Sequence, residues 1–248
     1  MEILILVISA FITSAISAVI GMGGGIILLG IMAIVLPNGY LVIALHGIIQ
    51  LISNSTRTFI FKNHIKKELI KQFSFGALFG AILSGLIIFL LINFYEVQSA
   101  KDIKFDFLKP LIGLFIIWYL FFKKNNKEII SKSFVKVGVI SGLASVFIGA
   151  TGPLIAPFFL KSKLTKQNII ANKAACQMVT HCTKIPLFMF FFDVNYFNEY
   201  KLLIPLMFSV LIGTKFGKYL LAMIPEKLFK KIFKLTLFII SIKLIINI

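Results

Sequence analysis

Acidic side chains are scarce: nine Asp and Glu occur in 248 residues, and none lies inside a long apolar run. Arginine is scarcer still, with Arg57 alone among 26 basic residues, and the chain has one tryptophan and two cysteines. Each scarcity excludes something. Cys176 and Cys182 fall within one apolar segment, so no disulfide framework is expected. The same two residues with His181 make a poor soft-metal set, because cysteines six apart point to different faces of a helix. The apolar segments carry no paired acids and no activated nucleophile, and the sequence has no Walker sequence, G-x-S-x-G elbow or helical H-E-x-x-H. Neither an enzyme activity nor a cofactor is expected.

What remains is overwhelmingly apolar. Hydrophobic residues make up 59% and charged residues 14% of the chain, with a mean hydropathy of +0.99, a profile suited to lipid rather than water. Apolar runs cover roughly 3–36, 41–61, 72–93, 108–122, 137–160, 167–192, 202–223 and 232–248, and about 20 such residues cross a ~30 Å hydrocarbon core as a helix. The Ser14–Ala18 stretch has no Lys or Arg before it, so it reads as retained membrane helix rather than a cleaved signal. The formal net charge of +17 comes from lysines clustered between apolar segments. That pattern reports membrane orientation, and no nucleic-acid partner is expected.

The first run is too long for one straight span, since its 34 residues would extend about 51 Å. Gly21-Met22-Gly23-Gly24-Gly25 in its middle is where the helix should break. The chain also aligns with itself. Ser17–Gly25 matches Ser145–Pro153 at a shift of 128, and Gln50, Asn54 and Arg57 match Gln177, His181 and Lys184 at 127. Gly76 and Gly80 match Gly213 and Gly217 at 137, each pair having the small-xxx-small spacing of close helix packing. The chain therefore reads as a single membrane domain over 1–248, with repeats at about 3–122 and 134–248.

Lysine counts decide how the repeats face. If every run crosses once, ten basic residues fall on each side. If 3–36 and 137–160 each enter and leave on one side, 62–71, 123–136, 161–166 and 224–234 share a face with sixteen, against four on the other. Cytoplasmic loops carry the excess, so the expected fold is an all-α polytopic membrane protein of two inverted repeats. Each repeat has a glycine-broken segment, re-entrant or discontinuous, followed by three transmembrane helices.

Irregular backbone at membrane depth is tolerated where it lines protein or a water-filled cavity. Half-helix N-termini beyond the breaks, opened by Gly23, Gly24 and Gly25 and by Thr151, Gly152 and Pro153, present free N–H groups and positive dipole ends suited to anions. The stripes Gln50, Asn54, Arg57 and Gln177, His181, Lys184 have i, i+4, i+7 spacing and must avoid lipid. With no carboxylate to pair with, Arg57 and Lys184 favour an anionic ligand, although Arg57 is close enough to Lys62 to snorkel. Lys173 and Lys218 are expected to snorkel, and Lys215 and Lys243 receive no role. His181 is a candidate for proton coupling, its alternative being a hydrogen-bonded structural histidine.

The duplicated Ile20-Gly21-Met22-Gly23-Gly24-Gly25 and Ile148-Gly149-Ala150-Thr151-Gly152-Pro153 turns, each followed by a polar-striped helix and a Gly-x-x-x-Gly segment, resemble the sulfite exporter TauE/SafE family along essentially the whole chain. The resemblance implies secondary transport of sulfite, organosulfonates or related sulfur oxyanions without ATP, in the bacterial inner membrane. The two halves are not equivalent: Asn54 stands against His181, Gly23 against Thr151 and Gly25 against Pro153. Expected partners are a small anion, the lipid bilayer and a coupling ion, proton or sodium; a homo-oligomer is left open. The alternatives are an anion channel, which would give ohmic rather than saturable flux, and a membrane-embedded partner that transports nothing.

Overall fold

The computed structural model describes residues 1–36, 38–103, 114, 116–118, 120–121, 134–160 and 164–246. The described residues are almost entirely helical. In chain order the helices are α1 (Glu2–Ile20), α2 (Gly24–Val35), α3 (Gly39–Ile60), α4 (Lys67–Phe94), α5 (Phe134–Ile148), α6 (Gly152–Leu160), α7 (Lys166–Phe191), α8 (Tyr200–Ala222) and α9 (Glu226–Ile246). Helical residues are also described between 114 and 121, but most of the expected 108–122 segment lies outside the described residues.

Both long glycine-containing runs are broken where the backbone leaves helical geometry. Gly21 and Gly23 separate α1 from α2 with φ of 82° and 94°, and Gly149 ends α5 with φ of 77°, values that a Cβ makes unfavourable. Each broken pair folds back on itself. Gly24 lies against the Thr13 carbonyl, and Leu6 and Ala10 of α1 share one core cluster with Leu28 and Met32 of α2. In the second pair the Phe134 ring at the start of α5 meets Phe159 near the end of α6, with centroids 5.5 Å apart.

Helices α3 and α7 pack together at the centre. The α4–α5 pair lies against α7, and the α1–α8 pair lies against α3. Glycines make both outer contacts possible: Gly76 and Gly80 sit on the Val135 and Val139 carbonyls of α5, while Gly213 and Gly217 sit on the Phe11 and Ala15 carbonyls of α1. This is the close packing that the small-xxx-small spacing predicts. Among the described helices, α1, α4 and α8 are long and apolar enough to cross a membrane. The outer face of α4 exposes Phe75, Leu78, Phe79, Ile82, Leu86 and Phe89, a continuous apolar surface of the kind that lipid covers.

The connections gather into two groups. At one end Asn168 Nδ2 donates to His64 O (2.8 Å), the Lys66 amide donates to Asn172 Oδ1 (2.7 Å) and the Lys166 amide donates to Glu226 Oε1 (2.7 Å). The turns around 62–66, 165–168 and 224–226 therefore share that end. Toward the other end, Ser99 Oγ donates to Phe191 O (3.1 Å), and Ala100, Val194, Tyr196 and Tyr40 pack in one cluster.

Candidate functional site

A narrow cavity lies where the two broken segments meet the central helices. Its volume is about 20 Å³. Its wall contains Gly23 and Gly25 at the start of α2, Gly152 and Pro153 at the start of α6, Gln50 and Arg57 on α3, and Gln177 and His181 on α7. The structure thus brings eight of the twelve sequence-predicted residues to one cavity. The first amides of a helix have no intrahelical carbonyl to donate to, and here two helix starts border the same space.

Gly24, Asn54, Thr151 and Lys184 stand behind that wall. Gly24 is the contact point of α2 on α1. Asn54 Oδ1 accepts from Arg57 Nη2 at 2.7 Å, and the Thr151 and Thr180 hydroxyls are 3.5 Å apart. Lys184 Nζ donates to Gly149 O (3.1 Å) and Ile43 O (3.3 Å). Its tail passes over Gly47, where an added Cβ would lie 2.9 Å from Lys184 Cε.

The structure decides the two readings of Arg57. Its side chain is 2% exposed and turns inward, donating from Nη1 to Ser17 O (3.2 Å) and from Nε to Ser53 O (3.4 Å). A guanidinium has five N–H groups, so donors remain for the cavity. Lys173 corrects the expectation that it snorkels: it is 1% exposed, lines the cavity and donates to Gly21 O (2.8 Å) and Gln177 Oε1 (3.0 Å). Lys218 is exposed. Cys176 is buried and Cys182 exposed, so the two do not share a face.

His46 is a second residue that the sequence reading missed. It lines the cavity, its Nε2 donates to Gly25 O at 2.7 Å, and its ring meets His181 edge to face with centroids 6.4 Å apart. His181 itself is 2% exposed, and neither ring nitrogen has a hydrogen-bond partner among the described residues. It is not the hydrogen-bonded structural histidine of the alternative reading.

These cations are held by carbonyls rather than carboxylates. Ser17 and Gly21 lie at the C-terminal end of α1 and Gly149 at that of α5, where carbonyl lone pairs and the helix dipole favour positive groups. Among the described residues no acid pairs with Arg57, Lys173 or Lys184.

Residues 6–244 match the sulfite exporter TauE/SafE family, and the chain belongs to it. It is accordingly a membrane transport protein. No curated protein and no solved structure matches the chain.

Proposed function

We propose that this TauE/SafE member is a multi-pass, secondary inner-membrane transporter of small anions, with sulfite, organosulfonates and related sulfur oxyanions as its substrates, and with the Arg57–Lys173 cavity as its alternating-access site. The observation that carries this reading is the composition of the wall: two basic side chains, two helix N-termini and, among its described residues, no carboxylate. An anion leaving water loses its hydration shell, and preoriented N–H groups and buried positive charge replace it.

Two inverted repeats give this site its alternating access. Matching α1 with α5, α2 with α6, α3 with α7 and α4 with α8 turns the α4–α5 contact into the α8–α1 contact, which is the reciprocal packing observed. The shared end of the 62–66, 165–168 and 224–226 turns supports placing the lysine-rich loops together in the cytoplasm. A coupling ion, proton or sodium, belongs to the same reading, as does any homo-oligomer the carrier forms.

The test is a thermal-shift screen of purified protein against sulfite, sulfate, thiosulfate, taurine, sulfoacetate and non-sulfur carboxylates. Selective stabilisation by a sulfur oxyanion, with saturable flux and counterflow in liposomes, is expected. Stabilisation by none of them overturns the substrate class, and ohmic single-channel current overturns the carrier mechanism.

A further inference from the structure

Of the two described histidines at the cavity, His181 leaves both ring nitrogens unpaired, whereas His46 leaves only Nδ1. His181 is almost fully buried and belongs to the wall. The charged and titratable groups around it are Lys184 and Lys173 on its own helix and His46 and Arg57 on α3; no carboxylate is among them. An imidazolium would have no counter-charge there. A neutral imidazole presents one N–H and one lone pair, so it needs an acceptor and a donor together. Arg57 and Lys173 only donate, and a simple anion only accepts. The lone pairs of His181 and of His46 Nδ1 are therefore features of this wall that a fully deprotonated oxyanion leaves unmatched, and leaving a buried polar atom unpaired is costly.

We propose that the ligand is an oxyanion bearing its own hydroxyl, which it donates to His181 while its charged oxygens face Arg57 and Lys173. The inference rests on the anion-site reading above and narrows it. A monoprotonated oxyanion meets the requirement directly, whereas sulfate or a simple alkanesulfonate does not. A ligand of this kind carries a proton across with it, so transport moves a proton without any relay of titrating side chains.

The experiment compares near-isosteric pairs on the purified full-length chain by calorimetry: hydrogensulfite against methanesulfonate, and hydrogencarbonate against nitrate, at a pH where the first of each pair is the monoanion. Wild type should bind the hydroxyl-bearing member about tenfold more tightly in both pairs. His181→Gln, whose amide both donates and accepts, should keep the preference, and His181→Leu should reduce it to less than about twofold. Equal or reversed affinities in wild type overturn the inference while leaving an anion site in place, as does an unchanged preference in His181→Leu. If that variant does not fold, the wild-type pairs and His181→Gln still decide. Failure of every anion to bind overturns the anion-site reading itself.

Discussion

Lys173→Met separates a ligand-binding cation from a helix-capping one. Methionine fills similar space but removes the ammonium that now donates to Gly21 O and Gln177 Oε1. If that ammonium also faces the anion, its loss removes one charge-assisted hydrogen bond, worth about 1.5–3 kcal/mol, and weakens Kd about 10- to 150-fold. Ligand at 100 times the wild-type Kd stabilises the wild type by about 2.7 kcal/mol; with Kd raised 100-fold, the same concentration yields about 0.4 kcal/mol. The apo protein should move the other way or not at all. Lys173 is 1% exposed with no acidic partner among the described residues, and a buried charge without a counter-charge is a liability that an apolar replacement relieves. Thermal unfolding in detergent, with and without sulfite, reads both effects. A wild-type ligand shift combined with a lower apo Tm would refute the reasoning and leave Lys173 as a cap for α1.

Three other perturbations test the fold and the site. Single cysteines at Asn63 and Thr165, in a background lacking Cys176 and Cys182, should be labelled from the cytoplasmic side, and those at Gln98 and Asn198 from the opposite side; labelling Thr165 from the outside would remove the inverted arrangement. Gly80→Val places atoms on the Val139 carbonyl and should cost about 1–3 kcal/mol or more, whereas Gly39→Ala meets nothing within 4 Å and should change stability by no more than about 0.5 kcal/mol; equal falls in Tm would contradict the glycine packing. Gly21→Ala forces a φ of 82° on a residue with a Cβ and should cost about 1–2 kcal/mol, while Gly25→Ala, whose Cβ would meet Gln50 Oε1 at 3.2 Å, should weaken anion binding more than it lowers Tm.

The break at Gly21–Gly23 was legible because a glycine cluster inside a 34-residue apolar run is where a helix should break, and the one at Gly149 because it repeats that cluster at a shift of 128; the structure gives Gly21, Gly23 and Gly149 positive φ. The stripes on α3 and α7 were legible because polar residues at i, i+4, i+7 must share a face away from lipid. Extending each stripe one turn toward its N-terminus reaches His46 and Lys173, four residues before Gln50 and Gln177 and separated by the same shift of 127. That register was the available signal for both missed residues. Lys173 was misjudged because nearness to a segment end was equated with nearness to water. In the structure the first turn of α7 is tied to the 62–66 turn and to Glu226, so that end of the helix is covered by protein. The resting place of Lys184 was not legible at all: it depends on carbonyls of α3 and α5 and on the space left over Gly47, contacts between segments far apart in sequence.

A single physical cause joins the legible and illegible parts. Breaking a helix inside the membrane creates an N-terminus that favours anions and, a few residues earlier, a C-terminus that favours cations. Carbonyls at the ends of α1 and α5 hold Arg57, Lys173 and Lys184, while the starts of α2 and α6 face the cavity. Because carbonyls are dipoles rather than charges, they orient these cations without neutralising them. In the proposed anion site, Lys184, which donates only to carbonyls and stands behind the wall, would support the positive potential from there, and Arg57 and Lys173, which also reach the cavity, would offer their remaining donors to the ligand. A carboxylate in place of those carbonyls would have held the cations as firmly and removed the reason for an anion to enter.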